Sequence, residues 1–159
     1  MKRNDVIKLV VSILIAQVVG AIGVIFTAPS VRTWYPELKK PSFNPPSSVF
    51  GPVWTILFTL MGVALFLVWR RGAERSDVKP AVTAFGIQLG LNALWSFLFF
   101  GLKSPFLALI DIGFLWVAIL ATILLFLPVS VAAGVLLIPY ILWVSFAAAL
   151  NYFIWRLNP

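Results

Sequence analysis

Five apolar stretches govern what this chain can become, at residues 6–28, 48–69, 81–102, 105–127 and 132–155. A helix needs roughly 20 apolar residues to cross the hydrocarbon core of a bilayer, and each stretch meets that length. Lipid offers no water to satisfy backbone amides, so an apolar chain of this kind satisfies them internally, as helices. Only 11% of the residues are charged and mean hydropathy is +1.04. A soluble domain carries about 25% charged residues, so this chain cannot cover its surface with polar groups, and its solvent is the lipid bilayer. The sequence predicts an all-α membrane protein, a single domain over residues 1–159 formed by a bundle of five transmembrane helices. The separators at 70–79, 103–104 and 128–130 are short, which makes successive helices antiparallel neighbours. The first stretch follows Lys2, Arg3 and Lys8, but it exceeds the roughly 7–15 apolar residues of a signal peptide and reads as a retained span.

What the chain lacks narrows its chemistry. It has no cysteine and no histidine. Disulfides, thiolate metal sites and a cysteine nucleophile are ruled out, and so are the commonest general base, metal ligand and haem ligand. No triad, carboxylate pair, metal site or phosphate loop is visible, so the expectation is no enzyme of conventional type and no required cofactor. The net charge is +7, but the cations cluster at the ends of apolar runs, where they contact headgroups and set topology. Nucleic acid is therefore not an expected partner. Lys2, Arg3, Lys8, Arg70, Arg71, Arg75 and Lys79 lie on one side, against Arg32, Lys39, Lys40, Lys103 and Arg156 on the other. That bias favours a cytoplasmic N-terminus. Asp111 is the one acid well inside a span, and it is expected to hydrogen-bond a neighbouring helix, because a lone carboxyl is costly there.

The only long loop, residues 29–47, leads into KKPSFNPPSSVFGPVWT. Pro41, Pro45 and Pro46 each fix φ and push the preceding residue out of the helical region, so this segment is expected to be extended and stiff. Pro52 is placed in the first turn of the second helix, where a missing N–H does no harm. Trp34, Tyr35 and Phe43 suit the membrane interface. Two readings stand: a rigid anchor for helix ends, or a lid over a cavity, since a stiff segment loses little entropy on closing over a ligand.

The helix faces add to this. At 100° per residue, Gln88, Asn92, Trp95 and Phe99 share one side of the third helix, with Gly86, Gly90, Ala93 and Phe97 opposite. Polar residues in a span avoid lipid, and the Gly86-x-x-x-Gly90 spacing permits close helix approach. The proposal from sequence is a pocket on the first face and a second subunit on the other; the alternative packs both faces inside one bundle. Ala16, Gly20, Gly23 and Thr27 form a small-residue stripe suited to close packing. Phe50, Trp54, Phe58, Met61 and Leu65 line one face of the second helix, as a core would. On the fifth, Tyr140, Trp143, Ala147, Asn151 and Ile154 share a face in which alanine leaves room beside large aromatics. Leu150, Tyr152 and Arg156 match a proposed sterol pattern of low specificity, for which lipid-facing decoration is the better expectation.

Taken in order, Trp34-Tyr35, Leu38, Lys40-Pro41-Ser42-Phe43, Pro45-Pro46, Gly51-Pro52, Trp54 and Met61-Gly62 resemble the signature of the TspO/MBR family. This family comprises the bacterial tryptophan-rich sensory proteins and the translocator proteins, or peripheral benzodiazepine receptors. Gln88-Leu89, Leu91-Asn92, Trp95, Phe99-Phe100-Gly101, Asp111, Pro139-Tyr140, Trp143, Phe146, Leu150-Asn151, Trp155 and Asn158 extend the resemblance over residues 34–158. It implies a five-helix bundle with a ligand cavity under the first loop. The implied ligands are protoporphyrin IX or a related tetrapyrrole, benzodiazepine-type molecules and, in animals, cholesterol. Ligand-binding residues expected from faces and resemblance together are Trp34, Lys40, Pro41, Phe43, Pro45, Phe50, Trp54, Phe58, Gln88, Asn92, Trp95, Tyr140, Trp143, Ala147 and Asn151. Arg32, Lys39 and Lys40 are candidates to meet porphyrin carboxylates. With no His or Cys to ligate iron, a metal-free porphyrin is favoured. The resemblance also implies that some bacterial members break down porphyrin in light, with tryptophans matching Trp54 and Trp143 involved. Three functions follow: a membrane receptor or sensor linked to porphyrin or oxidative-stress regulation, a transporter of porphyrin or sterol, and a light-dependent degrader. A homodimer is expected. So is a multi-pass location, in the bacterial cell membrane, or in the mitochondrial outer membrane if the source is eukaryotic.

Overall fold

The computed structural model describes residues 3–159. Helix α1 spans Arg3–Thr33 and a 3-10 turn follows at Tyr35–Glu37; α2 spans Ser47–Trp69. Helix α3 spans Val78–Ser96 and continues into a π-helical turn, Phe97–Gly101. Then come α4 (Pro105–Val129), α5 (Val131–Leu136) and α6 (Ile138–Leu157). Five helical stretches are long and apolar enough to cross a membrane, with α5 and α6 together making the fifth. There is no strand among the described residues. Around the bundle α1 touches α2, α2 touches α5, α6 touches α4, α4 touches α3, and α3 returns to α1.

The close approaches explain the small residues. A Cβ on Gly62 would lie 2.5 Å from the Ile13 backbone, so α1 and α2 meet there with no room for a side chain. One on Gly20 would lie 2.7 Å from the Phe58 ring. The core is filled by residues such as Met61, Leu115, Ile119 and the stacked pair Phe85 and Phe126, with centroids 5.8 Å apart.

Several boundaries differ from expectation. Helix α1 runs past Pro29 to Thr33 instead of ending at residue 28. Its extension is fastened by Ser30 Oγ, which donates to the Phe100 carbonyl at 2.7 Å, and by Thr33 Oγ1, which donates to the Pro29 carbonyl at 2.9 Å. Pro52 lies in the second turn of α2, not the first. The bond it cannot make would run to the Ser48 carbonyl, and Ser48 is exposed at the helix mouth, where the missing bond costs little. Helix α3 begins three residues early and ends in the π turn, closed by Leu102 N–H to the Phe97 carbonyl at 2.8 Å. Lys103 then turns the chain with a left-handed φ of 53°. The fifth span is broken between α5 and α6 because Pro139 has no N–H for the Val135 carbonyl; Leu137 N–H bonds the Gly134 carbonyl at 3.2 Å instead.

Candidate functional site

A cavity of about 590 Å³ lies in the half of the bundle nearest the first loop. It is walled by the C-terminal halves of α1 and α3, the N-terminal half of α2 and the stretch of α6 from Trp143 to Ile154. That volume falls within the roughly 300–1,000 Å³ of small-molecule pockets. Its aromatic wall comprises Phe50, Trp54 and Phe58 from α2, Trp95, Phe99 and Phe100 from the end of α3, and Trp143 from α6. These rings hold one another: Trp95 stacks on Phe99 at 5.0 Å, Phe50 meets Trp143 edge-on at 5.9 Å, and Trp54 tilts against Phe58 at 5.6 Å. Edge-to-face and offset pairs of this kind fix ring orientation. Ala147 and the small α1 residues Gly20, Gly23 and Thr27 leave the space between them open.

The polar residues of α3 and α6 are mostly engaged with each other. Tyr140 O–H donates to Gln88 Oε1 at 2.8 Å, and Asn92 Nδ2 donates to the Tyr140 oxygen at 2.8 Å. Gln88 Nε2 points at Met61 Sδ, 3.8 Å away. Nearer the loop, Trp95 Nε1 donates to Asn151 Oδ1 at 3.0 Å, and Asn151 Nδ2 donates to the Pro105 carbonyl at 2.7 Å. Asn92, Trp95 and Asn151 line the cavity; Gln88 and Tyr140 do not. Both are almost fully buried. They lie behind the wall, off the cavity lining.

Lys40 Nζ curls back onto the Pro36 and Leu38 carbonyls at 3.3 and 3.0 Å and lies 4.7 Å from the Tyr35 ring centroid. Phe43 packs outside on Phe146 and Phe153. Trp34 meets Phe99 edge-on at 5.7 Å, from behind the wall. Trp34, Lys39, Lys40, Pro41, Phe43 and Pro45 are all absent from the cavity lining. The loop is instead pinned to the end of α6: Lys39 N–H donates to Asn158 Oδ1 at 3.0 Å, and Asn158 Nδ2 returns a bond to the Lys39 carbonyl at 2.9 Å. Its contribution to the wall is Tyr35, flanked by Arg32 and Ser47. Burial pushes the Tyr35 hydroxyl above the usual phenol range, so it stays a neutral donor to Asn44 Oδ1, 3.0 Å away.

The stripe on α1 was expected only to pack closely. Gly20, Gly23 and Thr27 do approach neighbours, but they also line the cavity, together with Gln17, Val24 and Val31. The sequence signal was present in the spacing of small residues; it does not say which part of such a stripe faces a void. Leu150, Tyr152 and Arg156 separate: Leu150 lines the cavity, whereas Tyr152 and Arg156 are exposed on the outer surface. Gly86 and Gly90 are exposed with nothing within 4 Å of an added Cβ, so they do not pack inside the bundle. No cluster that would hold a metal ion exists among the described residues.

Asp111 also departs from expectation. It is buried in α4, and its Oδ2 has no hydrogen-bond partner, so the bond to a neighbouring helix is not formed by that oxygen. A buried polar atom left without a partner costs about 1–3 kcal/mol. Asp111→Leu is therefore expected to raise the thermal unfolding midpoint in detergent, by a stability gain of about 1–3 kcal/mol. A lowered midpoint would show that the carboxyl is partnered in the membrane.

Five membrane-spanning segments, four of which wall an indole-lined hollow, define a polytopic membrane protein with a small-molecule-sized cavity. The chain belongs to the TspO/MBR family, whose pattern matches residues 12–156. It is 46% identical over 154 residues to the "Tryptophan-rich protein TspO" of Archaeoglobus fulgidus, covering 97% of this chain and 99% of that one. Similarity to the "Tryptophan-rich protein TspO" of Chlorobaculum tepidum is likewise 46%, over 157 residues and 99% of both chains. The human "Translocator protein" is 41% identical over 127 residues, 79% of this chain and 75% of its own. Relatives in the family are named as sensory proteins or translocators, not as enzymes.

Proposed function

We propose that this protein is a membrane receptor for a flat, apolar tetrapyrrole, with metal-free protoporphyrin IX as the best-fitting ligand. The observation that carries the reading is the meeting of Trp54, Trp95 and Trp143 with Ala147 around one cavity of about 590 Å³. Indole faces offer stacking area, and alanine leaves a slot between them. Arg32 is the cation on the cavity lining and is suited to a propionate by a charge-assisted, bidentate hydrogen bond. Asn92 supplies a carboxamide at the wall. With no histidine or cysteine in the chain, iron has no strong axial ligand here, which favours the metal-free ring.

The test is quenching of tryptophan fluorescence by protoporphyrin IX in the dark. We expect saturable quenching, weakened about tenfold in Trp54→Phe/Trp143→Phe, since aromatic contacts contribute about 0.5–1.5 kcal/mol each beyond area. Unchanged affinity would remove both residues from the site. The same titration under illumination addresses a second reading, light-dependent breakdown, which is favoured by both tryptophans lying on the wall. Loss of porphyrin absorbance that depends on Trp54 and Trp143 would support it.

The open, exposed surface at Gly86 and Gly90 supports a homodimer face on α3. Gly90→Leu is expected to shift the detergent-solubilised protein from dimer to monomer by light scattering. An unchanged mass would exclude this face.

A further inference from the structure

On the membrane face opposite the cavity, a second hollow of about 460 Å³ opens between the end of α2, the α2–α3 loop and the α4–α5 junction. It is lined by Leu67, Arg70, Arg71, Arg75 and Ser130. Three arginines thus line one small cleft, and no acid lines it. The two acids of the loop are already engaged. Asp77 takes both Arg75 Nε and Nη2, at 2.9 and 2.7 Å, and Glu74 takes Lys79 at 3.2 Å. Arg70 and Arg71 form no salt bridge among the described residues; Arg70 lies 5.4 Å from the Phe66 ring centroid. Ser130 Oγ accepts from Ala133 N–H at 3.4 Å, which leaves its own O–H free to donate.

Cations at the end of a helix are ordinarily explained by headgroup attraction and the helix dipole. Those effects need no concavity, and they give no reason for a hydroxyl and three arginines to share one. Arginine presents a planar fork that fits phosphate oxygens bidentately, and basic pockets between transmembrane helices take anionic headgroups. We propose that this cleft binds a single phosphate group, held by Arg70 and Arg71 with the Ser130 hydroxyl, while Arg75 stays fixed on Asp77. Two sources share that chemistry: the headgroup of an acidic phospholipid, and free inorganic phosphate.

The full chain in nonionic micelles would be titrated with phosphatidylglycerol, phosphatidylcholine or inorganic phosphate, and bound ligand counted by native mass spectrometry. One anionic ligand per chain is expected to saturate, and phosphatidylcholine is expected to bind at least tenfold more weakly. Arg70→Gln/Arg71→Gln is expected to lower affinity about tenfold or more, at about 1 kcal/mol per cation. Arg3→Gln/Lys79→Gln removes the same number of charges from the same face and is expected to bind as the unmodified chain does. Leu67→Trp fills the cleft without changing charge and is expected to lose the ligand. Saturation by phosphatidylglycerol alone assigns the lipid as the source, and saturation by inorganic phosphate assigns the soluble anion; either supports the site. The proposal is overturned by equal losses in the two double variants, by full binding in Leu67→Trp, or by no saturable binding of either anion.

Discussion

Ala147→Trp is expected to abolish porphyrin binding, with at least a hundredfold loss of affinity, while leaving the bundle folded. Ala147 lies on the cavity wall one turn beyond Trp143 on α6. An indole there projects into the hollow that the ligand requires, instead of into packed core, so the overpacking strain of about 1–3 kcal/mol seen in filled interiors is largely avoided. The expected signature is therefore split: no saturable quenching by protoporphyrin IX, but an unfolding midpoint close to that of the parent or above it. A loss of about 2.7 kcal/mol of binding energy corresponds to a hundredfold, and a blocked cavity exceeds that. Retained binding in a folded variant would place the porphyrin elsewhere. Ala149→Trp is the control, because Ala149 is exposed on the same helix and a bulky residue there faces lipid.

The periodicity of α3 made much of this wall legible. Gln88, Asn92, Trp95 and Phe99 do share a side, and Gly86 and Gly90 do face outward. Periodicity fixes direction around a helix but not depth along it. Gln88 lies one turn further from the loop than Asn92, and there Tyr140 closes off the hollow by bonding both. The loop is fastened to α6 through Lys39 and Asn158, as an anchor for helix ends would be. Its lysines look like ligand cations in sequence, but the chain turns at Tyr35–Glu37 and again at Pro41–Asn44 instead of running extended, and Lys40 donates to the Pro36 and Leu38 carbonyls. The π turn at Phe97–Gly101 has no compositional mark in an aromatic run. The break before α6 was marked by Pro139, but hydropathy summed over twenty residues passes across it.

Tyr140→Phe is the complementary test, since it should damage the fold and touch the ligand only indirectly. The ring remains and its packing edge-on to Trp54 at 6.2 Å is kept. The hydroxyl alone is lost. That leaves Gln88 Oε1 without its donor in the closed core and Asn92 Nδ2 without its acceptor at the cavity wall. At about 1–3 kcal/mol for a buried orphaned group, which Gln88 Oε1 becomes, the expected destabilisation is about 1–3 kcal/mol, read as a fall in unfolding midpoint in detergent. Adding Gln88→Leu to Tyr140→Phe removes one of the two orphans, so the double variant is expected to be more stable than Tyr140→Phe alone. Such recovery is the mark of coupled partners. If the two changes simply add, the hydrogen bonds of this cluster do not join α3 to α6, and the Trp95–Asn151 bond with the ring packing holds the wall.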